Sequence, residues 1–257
     1  GLGDVYKRQQ YAVPRKTLID NLEEAVVEEK KIEEMDVVFL MDRFGYAKTV
    51  DVSVYERNKE AADTENRYIL TCKNTDKICI FTNKGQMHLL KVLDLPYGKF
   101  RDKGIPIDNL SNYNSSEENF IYIINLGAII HSRLLFGTKT VMLKMVDGSE
   151  FDVAKRTTAS TKLNEDDELL IVHTMTGEET VVMQSEKEMF LRIEASTIPE
   201  KKKGAVGVRG MKLNAGDALS NIYVLDGESE QTVEVKGKEV VLNRLRVGNR
   251  DTKGTKR

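Results

Sequence analysis

The segment Glu200–Leu213, EKKKGAVGVRGMKL, concentrates residues that could do chemistry. Lys201, Lys202, Lys203, Arg209 and Lys212 fall within twelve residues, opposed only by Glu200, and Gly204, Gly207 and Gly210 recur every third position. Three readings compete: a nucleotide phosphate cradle, a contact with a nucleic-acid backbone, and a solvated turn. A Walker loop needs Lys-Ser/Thr after its glycines, and the dinucleotide fingerprint needs a helix to follow; neither is present. The glycines read instead as structural, letting the chain turn sharply between strands. Clustered cations can follow a phosphate backbone without reading bases. Position and charge alone leave that reading and the solvated turn evenly balanced.

A second basic cluster lies in NRLRVGNRDTKGTKR. Arg244 and Arg246 are expected to alternate on one face of a strand, with Arg250, Lys253, Lys256 and Arg257 extending it as a basic tail. Lys99, Arg101 and Lys103 in GKFRDKG, and Lys155 with Arg156, are smaller candidates. A basic rim with acidic faces elsewhere would reconcile DNA binding with a net charge of −2. Catalytic constellations are poor. His88, His131 and His173 each sit in or beside an expected strand. The acids of NEDDE (164–168) read as a turn, and no serine lies in a nucleophile elbow. No catalytic residue is assigned. Cys72 and Cys79 read as buried free thiols, and no Cys/His cluster supports a metal. No cofactor is expected in this chain.

The elements that must position these residues are short. The chain has 257 residues, 40% hydrophobic and 31% charged, enough for one large or two ordinary domains with a sizeable core. No apolar run approaches the about 20 residues that span a bilayer, so no membrane is expected and the cytoplasm is the default. Residues 1–10 read as a truncated or artefactual leader, and 11–35 as a linker, either helix or acidic connector. From residue 36 the rhythm is β. Hairpins are expected over 36–50, 77–92, 140–153 and 180–193, with Gly85 and Gly148 at turns that need positive φ and Gly45 as a further structural turn. A second kind of strand recurs about every 50 residues, at RYILTC, FIYIIN, LLIVHT and IYVLDG. The expected fold is all-β, a propeller-like array of four-stranded blades over 36–250. KEVVLNRLRV begins a fifth unit or closes the first, and residues 251–257 form a frayed basic tail. The crossover helices of a doubly wound α/β fold are missing.

Several long phrases, in order, resemble the C-terminal region of the A subunit of bacterial type IIA topoisomerases, gyrase and topoisomerase IV. PRKTLIDNLEEAVVEE resembles the exit from the breakage-reunion core. DVVFLMDRFGYAKTVDVSVY resembles the first-blade phrase, with Gly45, Tyr46 and Lys48 in their usual places. EMFLRIEASTIPEKKKGAVGVRGMKLNAGD resembles a later blade, and LNRLRVGNRDTKGTK an ending. The resemblance covers about residues 11–257. It implies a β-pinwheel, with strands partly exchanged between neighbouring blades, whose basic outer rim bends or wraps double-stranded DNA, with Lys201, Lys202, Lys203 and Arg209 favoured as contacts. It implies as partners a B subunit, through which the whole enzyme takes ATP and Mg2+, and a second copy of the A subunit joined through a core this chain lacks. None of its tyrosines matches the family's nucleophile, so catalysis by this chain alone is not expected. One departure stands out: gyrases carry a glutamine-basic-glycine box after the first-blade phrase. Here Ser53–Tyr55 is followed by ERNKEAADTEN, with four acids and no glycine. That favours a topoisomerase IV-like member over a supercoiling one.

Overall fold

The computed structural model describes residues 32–257. Residues Asp36–Arg257 form one compact unit. The leader reading and most of the helix-or-linker reading fall outside the described residues.

From Asp36 one pattern repeats: a hairpin, then a segment that leaves it, then a strand that returns to its edge. β1 (Asp36–Met41) and β2 (Tyr46–Asp51) make the first hairpin. Helices α1 (Val52–Arg57) and α2 (Lys59–Glu65) follow, then β3 (Tyr68–Lys73). The second repeat is β4 (Lys77–Thr82), β5 (Gln86–Lys91), the two-residue strands β6 (Tyr97–Gly98) and β7 (Ile105–Pro106), and β8 (Phe120–Asn125). After the one-turn helix α3 (Leu126–Ile129) come β9 (Arg133–Thr138), β10 (Met142–Asp147), β11 (Thr157–Ala159) and β12 (Leu169–Met175). The fourth repeat is β13 (Thr180–Ser185), β14 (Met189–Glu194), β15 (Val208–Arg209), β16 (Met211–Lys212) and β17 (Leu219–Leu225). The last is β18 (Thr232–Val235), β19 (Lys238–Val241), β20 (Val247–Gly248), β21 (Thr252–Lys253) and β22 (Thr255–Lys256).

Each sheet is finished by the repeat after it. The orders are β3-β1-β2-β6, β8-β4-β5-β11, β12-β9-β10-β15 and β17-β13-β14-β20. In every case the central hairpin and third strand belong to one repeat, and the fourth strand arrives after the next hairpin. Neighbouring blades therefore exchange strands, as expected for a pinwheel. The final hairpin, β18–β19, stays a two-stranded sheet and is the start of a fifth unit.

Both faces of an inner sheet are buried, which is why alternation in the sequence is imperfect. On β9, Leu134 and Phe136 pack with Phe81 and Met87 of the second sheet. Leu135, between them, packs with Val181 and Met183 of the fourth. At the other end, Val182, Phe190 and Leu225 of the fourth sheet pack with Val235 and Leu242 of the last repeat.

The residue before the second strand of each hairpin has positive φ: Gly45 (90°), Gly85 (75°), Val141 (69°), Glu188 (64°) and Gly237 (79°). Gly85 meets the expectation. The third hairpin departs from it. It joins β9 to β10 through Val141, so the span 140–153 is one strand and a 3-10 turn rather than a hairpin. The non-glycine turn hid it, and Phe151, fully buried against Phe81 and Phe136, draws the chain inward after β10. Gly148 has no positive φ. It is there because a Cβ would lie 1.9 Å from the Ile129 carbonyl oxygen.

The ERNKEAADTEN stretch is helical. Asp51 caps α1 by accepting the Ser53 amide at 3.1 Å, and Ala62 of α2 is buried against Val38, Leu40 and Val50. Tyr55 donates to Asp63 at 2.8 Å, and Lys59 pairs with Asp63 one turn away at 3.3 Å.

Candidate nucleic-acid interface

The basic loop after Pro199 lies along the same edge of β10 that β15 pairs with. The Met145 amide donates to the Pro199 carbonyl at 3.0 Å, and the Lys201 amide to the Met145 carbonyl at 2.8 Å. Two of the three loop glycines are needed for close approach rather than positive φ. A Cβ on Gly207 would stand 2.5 Å from the Leu143 oxygen, and one on Gly210 would stand 2.6 Å from Leu143 and Met183 side chains. Gly204 meets nothing within 4 Å and has no positive φ, so its expected structural role finds no support.

The three lysines separate in role. Lys203 turns back: its amide donates to a Glu150 carboxylate oxygen and its ammonium to the Glu150 carbonyl, both at 3.0 Å. Lys202 is exposed and Lys201 half-exposed, and neither makes an ion pair among the described residues. The loop therefore offers two free cations rather than three.

Beyond the loop, the two basic clusters of the sequence meet. β16 pairs in parallel with β21, setting Met211 beside Thr252 and Lys212 beside Lys253. β22 pairs with β14, bringing Lys256 opposite Met189. The tail expected to fray is thus folded onto the fourth sheet. A Cβ on Gly254 would stand 2.7 Å from the Phe190 carbonyl oxygen, so only glycine lets the tail lie this close. Arg250 donates to the Thr197 carbonyl at 3.2 Å and the Arg209 carbonyl at 3.0 Å. Asp251 sits among the cations and forms an ion pair with Arg209. The Arg209 hydrogen bond, with the charges of Arg209, Lys212 and Arg250, holds the Asp251 carboxyl below its ordinary range.

The remaining candidates are placed differently. Arg244 ends a 3-10 turn and Arg246 lies in the loop after it, so they do not alternate on a strand. The strand stops at Val241 because Leu242 and Leu245 both turn inward, with the Leu245 amide bonded to the Leu242 carbonyl at 3.1 Å. Arg244 lies 3.8 Å from Glu230, both well exposed. Lys99 and Arg101 are exposed on the loop that closes the first sheet. In that loop Asp102 accepts the Lys99 amide at 2.9 Å.

Sequence reasoning missed the side chains beneath these loops. Lys144, 1% exposed, points from the middle of β10 into the basic loop, and Lys48 on β2 does the same beneath 98–104. A lone lysine inside the apolar run TVMLKMV was the available signal. His88 is buried, its ring nitrogens 2.9 Å from Glu118 and 2.8 Å from Thr157, where it ties β11 to the second sheet. His131 and His173 are exposed. Cys72 and Cys79 are free and buried, and burial pushes both thiols up to about 12.

Residues 133–173 and 179–226 match the family model described as "DNA gyrase C-terminal domain, beta-propeller". Each matched segment runs from the hairpin of a repeat to its returning strand, β9 into β12 and β13 into β17. Over these segments the chain is similar to the C-terminal domain of DNA gyrase. It is 27% identical over 268 aligned residues to the DNA gyrase A subunit of Lawsonia intracellularis, covering 96% of this chain and 32% of the relative. Against the DNA gyrase A subunit of Staphylococcus epidermidis it is 29% identical, covering 91% of this chain and 28% of the relative. The chain thus spans about a third of the length of these relatives. Among solved structures, the C-terminal domain of DNA topoisomerase IV superposes with a TM-score of 0.77 at 22% identity, over 88% of this chain and 73% of that one. The E. coli ParC C-terminal domain superposes at 0.69 and 15% identity, over 86% and 94%. These likenesses show the fold alone, a β-pinwheel. Among the described residues no helix is long and apolar enough to cross a membrane.

Proposed function

We propose that this domain binds and bends double-stranded DNA for an ATP-dependent type IIA topoisomerase, positioning a duplex for strand passage in relaxation or decatenation. The observation that carries the reading is the joining of the two basic clusters through the β16–β21 pair. Lys212 and Lys253 become neighbours there, with Arg209 and Arg250 around Asp251 and free Lys201 and Lys202 upstream. Such a surface meets phosphates and offers no array of paired donors and acceptors to read base edges, so binding is sequence-independent and salt-sensitive. ATP and Mg2+ enter through a B subunit, and the A subunits pair through a core outside this chain. The helical, acid-bearing 52–65 segment occupies the place of a glycine-rich basic box, which supports bending over positive wrapping.

The reading is tested with unrelated duplexes of equal length. The chain should bind them with equal affinity, and Lys201→Ala/Lys202→Ala should weaken all of them by a similar factor. Retained affinity in that variant would remove the loop from the interface. A salt-insensitive protein partner with no duplex binding would favour an interaction propeller instead.

A further inference from the structure

Lys144 is a charged residue where the packing calls for an apolar one. It lies between Leu143 and Met145 on β10, in a sheet buried on both faces. A buried ammonium must find acceptors inside the protein. Lys144 finds them all on one loop: the carbonyls of Lys202 at 2.8 Å, Ala205 at 2.7 Å and Lys203 at 3.4 Å. The ammonium also stands 5.6 Å from the centroid of the Phe136 ring. The charges that act on it are Glu150, which favours the ammonium, and Lys201, which opposes it.

The device recurs. Lys48 holds the same position, third after the positive-φ residue, in the first sheet. It donates to the carbonyls of Phe100 and Asp102, with its ammonium 5.0 Å from the Phe100 ring centroid. In the fourth sheet that position is Leu191, and the adjacent Arg192 reaches the carbonyls of Asn243 at 2.7 Å and Leu245 at 3.1 Å. In three sheets a strand cation holds the carbonyls of the segment that finishes the blade. An apolar residue of equal length would fill the Lys144 site without desolvating a charge. What the lysine adds is the hold on the loop.

We propose that Lys144 is a positioning residue for duplex DNA: by gathering the carbonyls of Lys202, Lys203 and Ala205 inward, it turns the Lys201 and Lys202 side chains out toward phosphate. This rests on the DNA-binding reading above. Burial pulls the Lys144 amine down to about 8, in keeping with an ammonium held at some cost.

The test compares the wild-type chain with Lys144→Met and Lys144→Arg in three measurements: thermal midpoint, trypsin cleavage after Lys201–Lys203, and duplex affinity across a salt series. Lys144→Met should keep a cooperative thermal transition. Its loop should be cut about tenfold faster, because protease susceptibility follows the open population. Its affinity should fall about five- to tenfold, with a salt slope smaller by about one to two as two phosphate contacts are lost. Lys144→Arg should restore protection and slope. Wild-type cleavage and slope in Lys144→Met would overturn the proposal. So would an Arg variant that recovers the thermal midpoint without the slope. If the wild-type chain bound no duplex, the DNA role would fall with the reading it rests on. The cleavage comparison would still show whether Lys144 holds the loop.

Discussion

Lys212 and Lys253 lie opposite one another in a parallel strand pair, β16 with β21, although they come from different repeats. Two solvated cations held side by side repel, and a polyanion laid across them relieves that repulsion. Lys212→Ala/Lys253→Ala should therefore lower duplex affinity and reduce the salt slope by about two. The thermal midpoint should hold, because exposed lysines contribute little to stability. Fluorescence anisotropy over a salt series, with a melting curve, checks both.

Asp251 is an acid set among Arg209, Lys212 and Arg250, and its φ is 64°. Asparagine tolerates that left-handed backbone, so Asp251→Asn removes the charge with little strain. Duplex binding should strengthen about two- to fivefold as a like charge leaves the phosphate surface. Unchanged or weaker binding by anisotropy would place the phosphates elsewhere.

Through Lys144 the fold gains stability as pH rises above about 8. The lysine's folded value of about 8 lies below the ordinary 10.5. Between the two, the unfolded chain holds a proton that the folded chain has released. Raising pH through that window therefore stabilises the fold through this group, by up to about 1.4 kcal/mol per pH unit. Cys72 and Cys79 act oppositely. Their folded values of about 12 exceed the ordinary 9.0, so their contribution is full below about 9 and is lost as pH rises toward 12. The difference between wild type and Lys144→Met isolates the lysine. That difference should move in favour of wild type from pH 8 to 10, measured by urea unfolding.

The same thiols should be inert in the native chain. A thiolate is the reacting form, and both sulfurs are buried with raised values. An aromatic disulfide reagent at pH 8 should report no fast thiol natively and two after denaturation. A fast native thiol would mean that the first or second sheet opens.

Much of this architecture is legible in the sequence because strands announce themselves locally. RYILTC, FIYIIN, LLIVHT and IYVLDG are all third strands of blades, and Gly45 and Gly85 turn their hairpins. The third hairpin is misplaced because Val141 takes a conformation that glycine normally signals. The exchange of fourth strands is visible only through family resemblance, since two-residue strands such as β6 and β15 have no periodicity to read. The basic residues stand out, but their grouping does not. Nothing local places Lys253 beside Lys212, or shows that Lys203 is occupied by Glu150 while Lys201 and Lys202 are free. Lys144 escapes notice because burial, which makes it informative, cannot be seen in one strand's sequence.

With the acid-bearing helices α1 and α2 following the first hairpin, the domain should bend DNA without wrapping it. Ligating nicked circles on the bound chain should trap little writhe. A strong positive linking difference would mean that another segment does the work of the box.

The most direct measurement is the affinity of the chain for an arbitrary duplex from about 50 to 300 mM salt, a range wide enough to resolve the slope. The account predicts tight binding at low salt and a log–log slope of about −3 to −6, from the cations around Asp251 and in the Lys201–Lys202 loop. No binding at the lowest salt, or affinity independent of salt, would contradict it.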